Sequence, residues 1–202
     1  MTIIGITGGS GSGKTTALAE LEAMGALIID CDKVYHELLC DNEDMKAEIS
    51  AYFPGVLADG AIDRHALAGI VFSDPDALNA LNSITHKYVD WAVSRNIDLW
   101  KAQGETLAAI DAIALIESGL AKKCDFVIGI TAPMETRIKR IVERDNISMK
   151  RANLRISAQK PDSFFEENCD YILVNDCENI KDFSEKCKVF FNELLGGNIN
   201  VQ

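Results

Sequence analysis
The sequence predicts an α/β fold: a parallel sheet of about five strands flanked by helices, with a helical insertion between the second and third strands. Three observations predict it. Residues 3–24, IIGITGGSGSGKTTALAELEAM, read as strand, glycine loop and helix in immediate succession. Strand and helix patterns then alternate to the end of the chain. The exception is 33–105, a helix-rich stretch that interrupts the alternation.

Ile3, Ile4 and Ile6 form a short β-branched apolar run, the mark of a buried strand over 3–7. Behind the loop, Ala17, Leu18, Leu21 and Met24 recur at helical spacing over 14–24, with Gly25 as a C-terminal cap. Further strands are expected at 26–30, 106–111, 126–131 and 171–174, and further helices at 32–39, 133–144, 149–158 and 179–195. Ser73-Asp74-Pro75 opens a long helical pattern through Leu78, Leu81, Ile84, Tyr88 and Ala92 toward Trp100. Pro133 suits the first turn of its helix with Thr131 as cap, and Ser148 caps the next. The last helix carries Ile180, Phe183, Cys187, Phe190, Phe191 and Leu194 on one side and stops at Gly196-Gly197.

The 202 residues suit one domain with an inserted subdomain, and 48% hydrophobic residues suffice for a core. No segment approaches the ~18 apolar residues that span a bilayer. With a strand starting at Ile3 there is no signal-peptide pattern, so a cytoplasmic location is expected. The six cysteines contain no C-x-x-C and are expected as buried reduced thiols. A net charge of −11 argues against nucleic acid as a partner. Against it stands Arg137–Lys160, with eight basic and two acidic residues, a local +6 that favours an anion site.

Gly8, Gly13, Lys14 and Thr15 satisfy G-x-x-x-x-G-K-[ST], the phosphate-binding loop of nucleoside triphosphate enzymes. Its glycines let backbone N–H groups converge on an anion, and the helix that follows adds its positive end. Lys14 can reach the outer phosphates and the Thr15 hydroxyl can bind Mg²⁺. The motif does not name the phosphoryl acceptor. Asp30 and Asp32 stand at the end of the second strand, where ligands bind in parallel sheets. Either could accept a hydroxyl proton, hold magnesium through water, or simply cap the next helix, as Asp32 could for 33–39. Asp111 ends the apolar strand Leu107–Ile110, a Walker B-like carboxylate near Mg²⁺. Arg140 and Arg144 share a helix face, and with Arg151 and Arg155 they suit a lid that faces phosphate or an ordinary solvated surface. His86, mid-helix among apolar residues, reads first as a packing histidine.

These pieces together resemble the dephospho-CoA kinase family, from Ile3 to about Asn175. GITGGSGSGKTT and LIIDCD resemble its opening loop and D-A-D. Asp63-Arg64, Val71-Phe72 and Leu81-Asn82-Ser83-Ile84-Thr85-His86 resemble its insertion. Asp111 with Glu117-Ser118-Gly119, Arg137, Arg140, Arg144-Asp145, Arg155, Gln159, Asp170-Tyr171-Ile172 and Asn175 match its later motifs. The resemblance implies a P-loop kinase with sheet order 2-3-1-4-5, a core over 1–32 and 105–202, a CoA-binding subdomain over 33–104 and a lid over 140–155. It implies transfer of phosphate from ATP, with Mg²⁺, to the ribose 3′-hydroxyl of dephospho-CoA. Asp32 would be the general base, with Lys14 and Arg140 as its catalytic partners. Gly9, Ser10, Gly11, Ser12, Gly13, Lys14, Thr15, Thr16 and Arg144 would bind ATP. Asp32, His86, Asp111 and Glu117 would meet the acceptor; Thr15, and Asp111 through water, would hold the metal. Two departures stand out: Ile113-Ala114-Leu115 replaces Pro-Leu-Leu, and Lys87 replaces a proline, which predicts a less broken helix at His86.

Two other readings also fit these residues. One is a different small-molecule or nucleotide kinase of the same fold. The other is a nucleotide-binding switch, disfavoured because no N-K-x-D or D-x-x-G motif follows the loop. The sequence leaves oligomeric state open.

Overall fold
The structure is a computed structural model that describes residues 1–197; the last five positions of the predicted single unit lie outside the described residues. Five strands form the main sheet: β1 (Thr2–Thr7), β2 (Leu27–Asp30), β5 (Leu107–Asp111), β6 (Phe126–Thr131) and β7 (Tyr171–Val174). Their order is β2-β5-β1-β6-β7. Numbered among themselves, these strands run 2-3-1-4-5. β3 (Leu57–Ala58) and β4 (Ala61–Ile62) form a separate two-stranded hairpin that periodicity could not reveal. β1 pairs in parallel with β5 and β6, and β6 with β7. Two aspartates fasten this ladder at its start: Asp125 Oδ2 accepts from Ile3 N and Asp170 Oδ2 from Val127 N, each at 2.7 Å.

The chain divides into two compact units, residues 1–28 with 106–202, and residues 29–105. In the first unit, α1 (Lys14–Ala23) and α9 (Ile180–Leu195) pack against one another and the sheet. Their core joins Ile4, Ile6, Leu21, Ala109, Ile128, Ile130, Phe183 and Phe191. α1 ends in a Schellman turn: Ala26 N donates to Leu21 O and Gly25 N to Glu22 O, each at 2.9 Å. Ile180, expected on the apolar face of α9, is 74% exposed because it is the helix's first residue. α6 (Met134–Asp145) and α7 (Met149–Ser157) form a helix pair, the second capped by Ser148 as predicted. Thr131 does not cap α6. It ends β6, and Pro133 itself takes the N-cap position without a side-chain bond. A short α8 (Asp162–Asn168), unpredicted, seals Phe165 into the interior.

The second unit is helical. α2 (Cys31–Asp41), α3 (Glu43–Tyr52) and α4 (Arg64–Val71) pack on α5 (Pro75–Ala102). α5 runs unbroken through Lys87, as the missing proline predicts. Asp74 caps it, accepting from Asp76 N and Ala77 N. Its buried stripe is Ala77, Leu81, Ile84, Thr85, Val89, Val93 and Ile97, so the expected Leu78 and Ala92 stand off the core face. Tyr88 is half-buried and spends its hydroxyl on Glu48 Oε2 at 3.0 Å. Lys46 is the buried cation of this unit: its Nζ donates to Cys40 O and Gly60 O and pairs with Glu43, tying α2, α3 and the hairpin together. The six thiols are all free, but only Cys31 and Cys187 are buried and Cys40 is exposed, which corrects the expectation of buried thiols throughout.

Candidate active site
The loop between β1 and α1 is shaped by backbone geometry that side chains disfavour. Gly8 has φ 141° and Gly13 φ 112°, both left-handed. A Cβ at Gly8 would run into Ile130 O, and one at Gly13 into the Asn175 side chain. Gly13 sits at the N-cap of α1, so Lys14, Thr15 and Thr16 form the helix's first turn, where free N–H groups and the dipole favour an anion. Lys14 Nζ donates to Gly8 O at 2.7 Å, folding the side chain back across the loop. Thr15 is exposed.

The arginines of α6 hold this loop by its carbonyl side. Arg137, 5% exposed, donates from Nε to Ser10 O at 3.0 Å and from Nη2 to Gln159 Oε1 at 3.0 Å. Arg140 Nη1 donates to Gly11 O at 3.2 Å, and its Nη2 to Asn175 Oδ1 at 3.2 Å. Buried Asn175, from the end of β7, donates back to Ser12 O at 2.8 Å. The carbonyls of Ser10, Gly11 and Ser12 are thereby taken up, while Ser10 N donates to Gln159 Oε1 at 2.9 Å and Ser12 N to Gly9 O at 3.3 Å. Ser12 Oγ is buried with no hydrogen-bond partner, an unspent donor in the loop. A left-handed glycine cradle, a helix N-terminus, Lys14 and a buried unspent hydroxyl fit a bound polyphosphate.

Arg144 and Arg155 both pair with Asp145 instead. Chiefly through the Arg144 hydrogen bonds, and then those of Arg155, the Asp145 carboxyl is held down at about 2. Asn146, left-handed at φ 51°, turns the chain between α6 and α7 beside this cluster. The role expected of Arg144 thus begins from a guanidinium already engaged.

Asp111 ends β5 opposite Ile6 in the register, beside the strand that feeds the loop. Thr7 Oγ1 donates to Ile113 O at 3.1 Å, so the segment after Asp111 is tied to the loop's entry. Glu117 is exposed in the turn before the 3-10 helix Leu120–Lys123. Among the described residues no group of three or more His, Cys, Asp or Glu could hold a metal ion. A magnesium here would rest on the Thr15 hydroxyl, water and the phosphates themselves, a donor set this hard cation accepts.

Asp32 and His86 belong to the second unit. Asp30, not Asp32, is the N-cap of α2, its Oδ1 accepting from Lys33 N at 3.0 Å. The helix starts one residue earlier than expected, which leaves the Asp32 side chain exposed in the first turn. His86 is half-buried on α5. The sequence named Asp63-Arg64 only within the family resemblance and gave Arg64 no role; its Nη2 lies 3.4 Å from His36 Nε2 on the neighbouring helix. Its Asp-Arg context at a helix start was visible, but spacing alone could not show that it meets α2. The same holds for Gln159, more than a hundred residues from Ser10.

A five-stranded parallel sheet with a Gly-Lys-Thr loop and loop-clasping arginines defines a P-loop kinase fold. Residues 2–181 match the family described as dephospho-CoA kinase. A dephospho-CoA kinase of Moorella thermoacetica is 42% identical over 162 residues, 79% of this chain and 76% of the relative. A solved structure of a Thermus thermophilus protein aligns with TM-score 0.77 and 30% identity, covering 96% of this chain and 97% of that one. The dephospho-CoA kinase from Campylobacter jejuni aligns with TM-score 0.70 and 25% identity, covering 98% of each. The chain belongs to the dephospho-CoA kinase family.

Proposed function
We propose that this protein transfers the γ-phosphoryl group of ATP to the ribose 3′-hydroxyl of dephospho-CoA, the last step of coenzyme A synthesis. The phosphate loop clasped on its carbonyl side by Arg137, Arg140 and Asn175 carries the nucleotide half of this reading. Family membership carries the acceptor half. Lys14 and the loop residues Gly9–Thr16 bind the ATP phosphates, Ser10 through its hold on the loop's shape since its N–H is taken by Gln159, and Thr15 holds Mg²⁺ with help from Asp111 through water. Asp32 takes the proton of the ribose hydroxyl, while His86, Asp111 and Glu117 meet the acceptor. Arg140 stabilises charge on the transferring group after exchanging its loop carbonyls for phosphate oxygens, and Arg144 binds ATP after leaving Asp145. Residues 140–155 act as the lid and 33–104 as the acceptor subdomain. No described helix is long and apolar enough to cross a membrane, and synthesis in the cytoplasm fits the substrates.

The deciding experiment combines purified protein, ATP, Mg²⁺ and dephospho-CoA, and locates the new phosphate by mass spectrometry and NMR. Phosphate at the 3′-position supports the reading. Turnover of another hydroxyl compound without 3′-phosphorylation of dephospho-CoA refutes it. Asp32→Asn is expected to lower kcat about a hundredfold or more while leaving ATP affinity in place; unchanged kcat removes Asp32 from the base role.

A further inference from the structure
We propose that Arg137 and Gln159 are positioning residues that hold the phosphate loop in its binding shape by gripping Ser10, an inference that rests on reading this loop as the ATP site. The grip takes all three polar groups of one loop residue. Ser10 O accepts from Arg137 Nε at 3.0 Å. Ser10 N donates to Gln159 Oε1 at 2.9 Å, and Ser10 Oγ accepts from Gln159 Nε2 at 2.8 Å. The two gripping side chains are bonded to one another, Arg137 Nη2 to Gln159 Oε1 at 3.0 Å. Arg137 Nη1 also reaches Asp162 Oδ1 at 3.4 Å.

Burial makes this arrangement costly unless it is used. Among eight basic residues between Arg137 and Lys160, Arg137 alone is buried, at 5% exposure. A guanidinium withdrawn from water is tolerated only when its N–H groups are met, and here they meet a backbone carbonyl, an amide and a carboxylate. The loop is cut to fit it: a Cβ on Gly9 would strike Arg137 Nη2, and one on Gly11 would lie 2.8 Å from Arg137 O. Spending the Ser10 N–H on Gln159 removes one donor from the anion-facing set and fixes the orientation of those that follow. Gln159 comes directly after α7, so the grip also fastens the end of the α6–α7 helix pair to the loop. Neither residue touches phosphate in this role; each acts through the backbone of Ser10.

The test uses full-length Arg137→Met and Gln159→Met, the double variant, and Lys139→Met as an exposed control on the same helix. ATP·Mg²⁺ affinity is measured by calorimetry, KM for ATP and for dephospho-CoA by steady-state kinetics, and folding by thermal melting. Each single variant is expected to weaken ATP about tenfold, with KM for dephospho-CoA within about twofold of the parent. The double variant is expected to lose little beyond the worse single one, because both act on one loop residue. Unchanged ATP affinity in Gln159→Met, which removes no buried charge and is expected to fold, overturns the proposal. So does an equal rise in both KM values. If ATP affinity falls as expected while the parent fails to phosphorylate dephospho-CoA, the positioning role stands and the acceptor assignment falls.

Discussion
At the scale of single residues, the loop glycines are needed for contact as much as for conformation. Gly8 combines φ 141° with a Cβ direction that ends on Ile130 O in the adjoining strand, so a methyl group has neither a favourable backbone nor space. Gly8→Ala is expected to destabilise the protein by about 2–3 kcal/mol. In a chain of this size that lowers the melting temperature by roughly 5–10 °C. Calorimetry showing a shift under one degree would contradict this packing. Cys124 illustrates the same tightness: its Sγ lies against Gly5, where a Cβ would come within 2.8 Å, and burial pushes its thiol up to about 12.

At the scale of elements, the α6–α7 pair is held at its turn by Asp145 between Arg144 and Arg155. The folded-state carboxyl sits at about 2 against an ordinary 3.8, so the pairing stabilises the fold fully above pH 4 and is lost as pH falls toward 2. Asp145→Asn is therefore expected to melt lower than the parent near neutral pH and to converge with it near pH 2, in melts followed by circular dichroism. Parallel curves at every pH would exclude the linkage. How far the elements were legible follows from their chemistry. β1, β5 and β6 were plain in the sequence because strands buried on both faces are continuous apolar runs, and β7, an edge strand, because its YILV is a short apolar run. Ser148 and Asp74 announced their helices by capping residues. The hairpin at Leu57–Ile62 was not legible, since two-residue strands leave no period to read. Nor was the true stripe of α5, where Tyr88 counted as apolar although its hydroxyl serves Glu48.

At the scale of the whole molecule, the six thiols test the described burial in one measurement. Cys40 is exposed, whereas Cys187 is buried and its thiol is pushed up to about 12 by desolvation. A maleimide at pH 7 is expected to label Cys40 first and Cys187 only on unfolding, read by peptide mass spectrometry. Early labelling of Cys187 in folded protein would contradict the packing of α9. The candidate site divides along similar lines. The strand–loop–helix that carries Gly8 to Thr15 was legible because the motif is contiguous. The clasp behind it was not, because Ser10, Arg137, Gln159 and Asn175 meet only through the fold. The aspartates at the start of the ladder set a condition for all of this. Asp125 and Asp170 each grip a backbone N–H on the adjoining strand, at the end of the sheet away from the loop. A strand displaced by one position would forfeit its carboxylate's bond and turn its apolar side chains to the wrong face. The sheet is keyed at its foot, so the crown, where glycines and buried charge make the chain least self-sufficient, inherits an alignment it does not have to create.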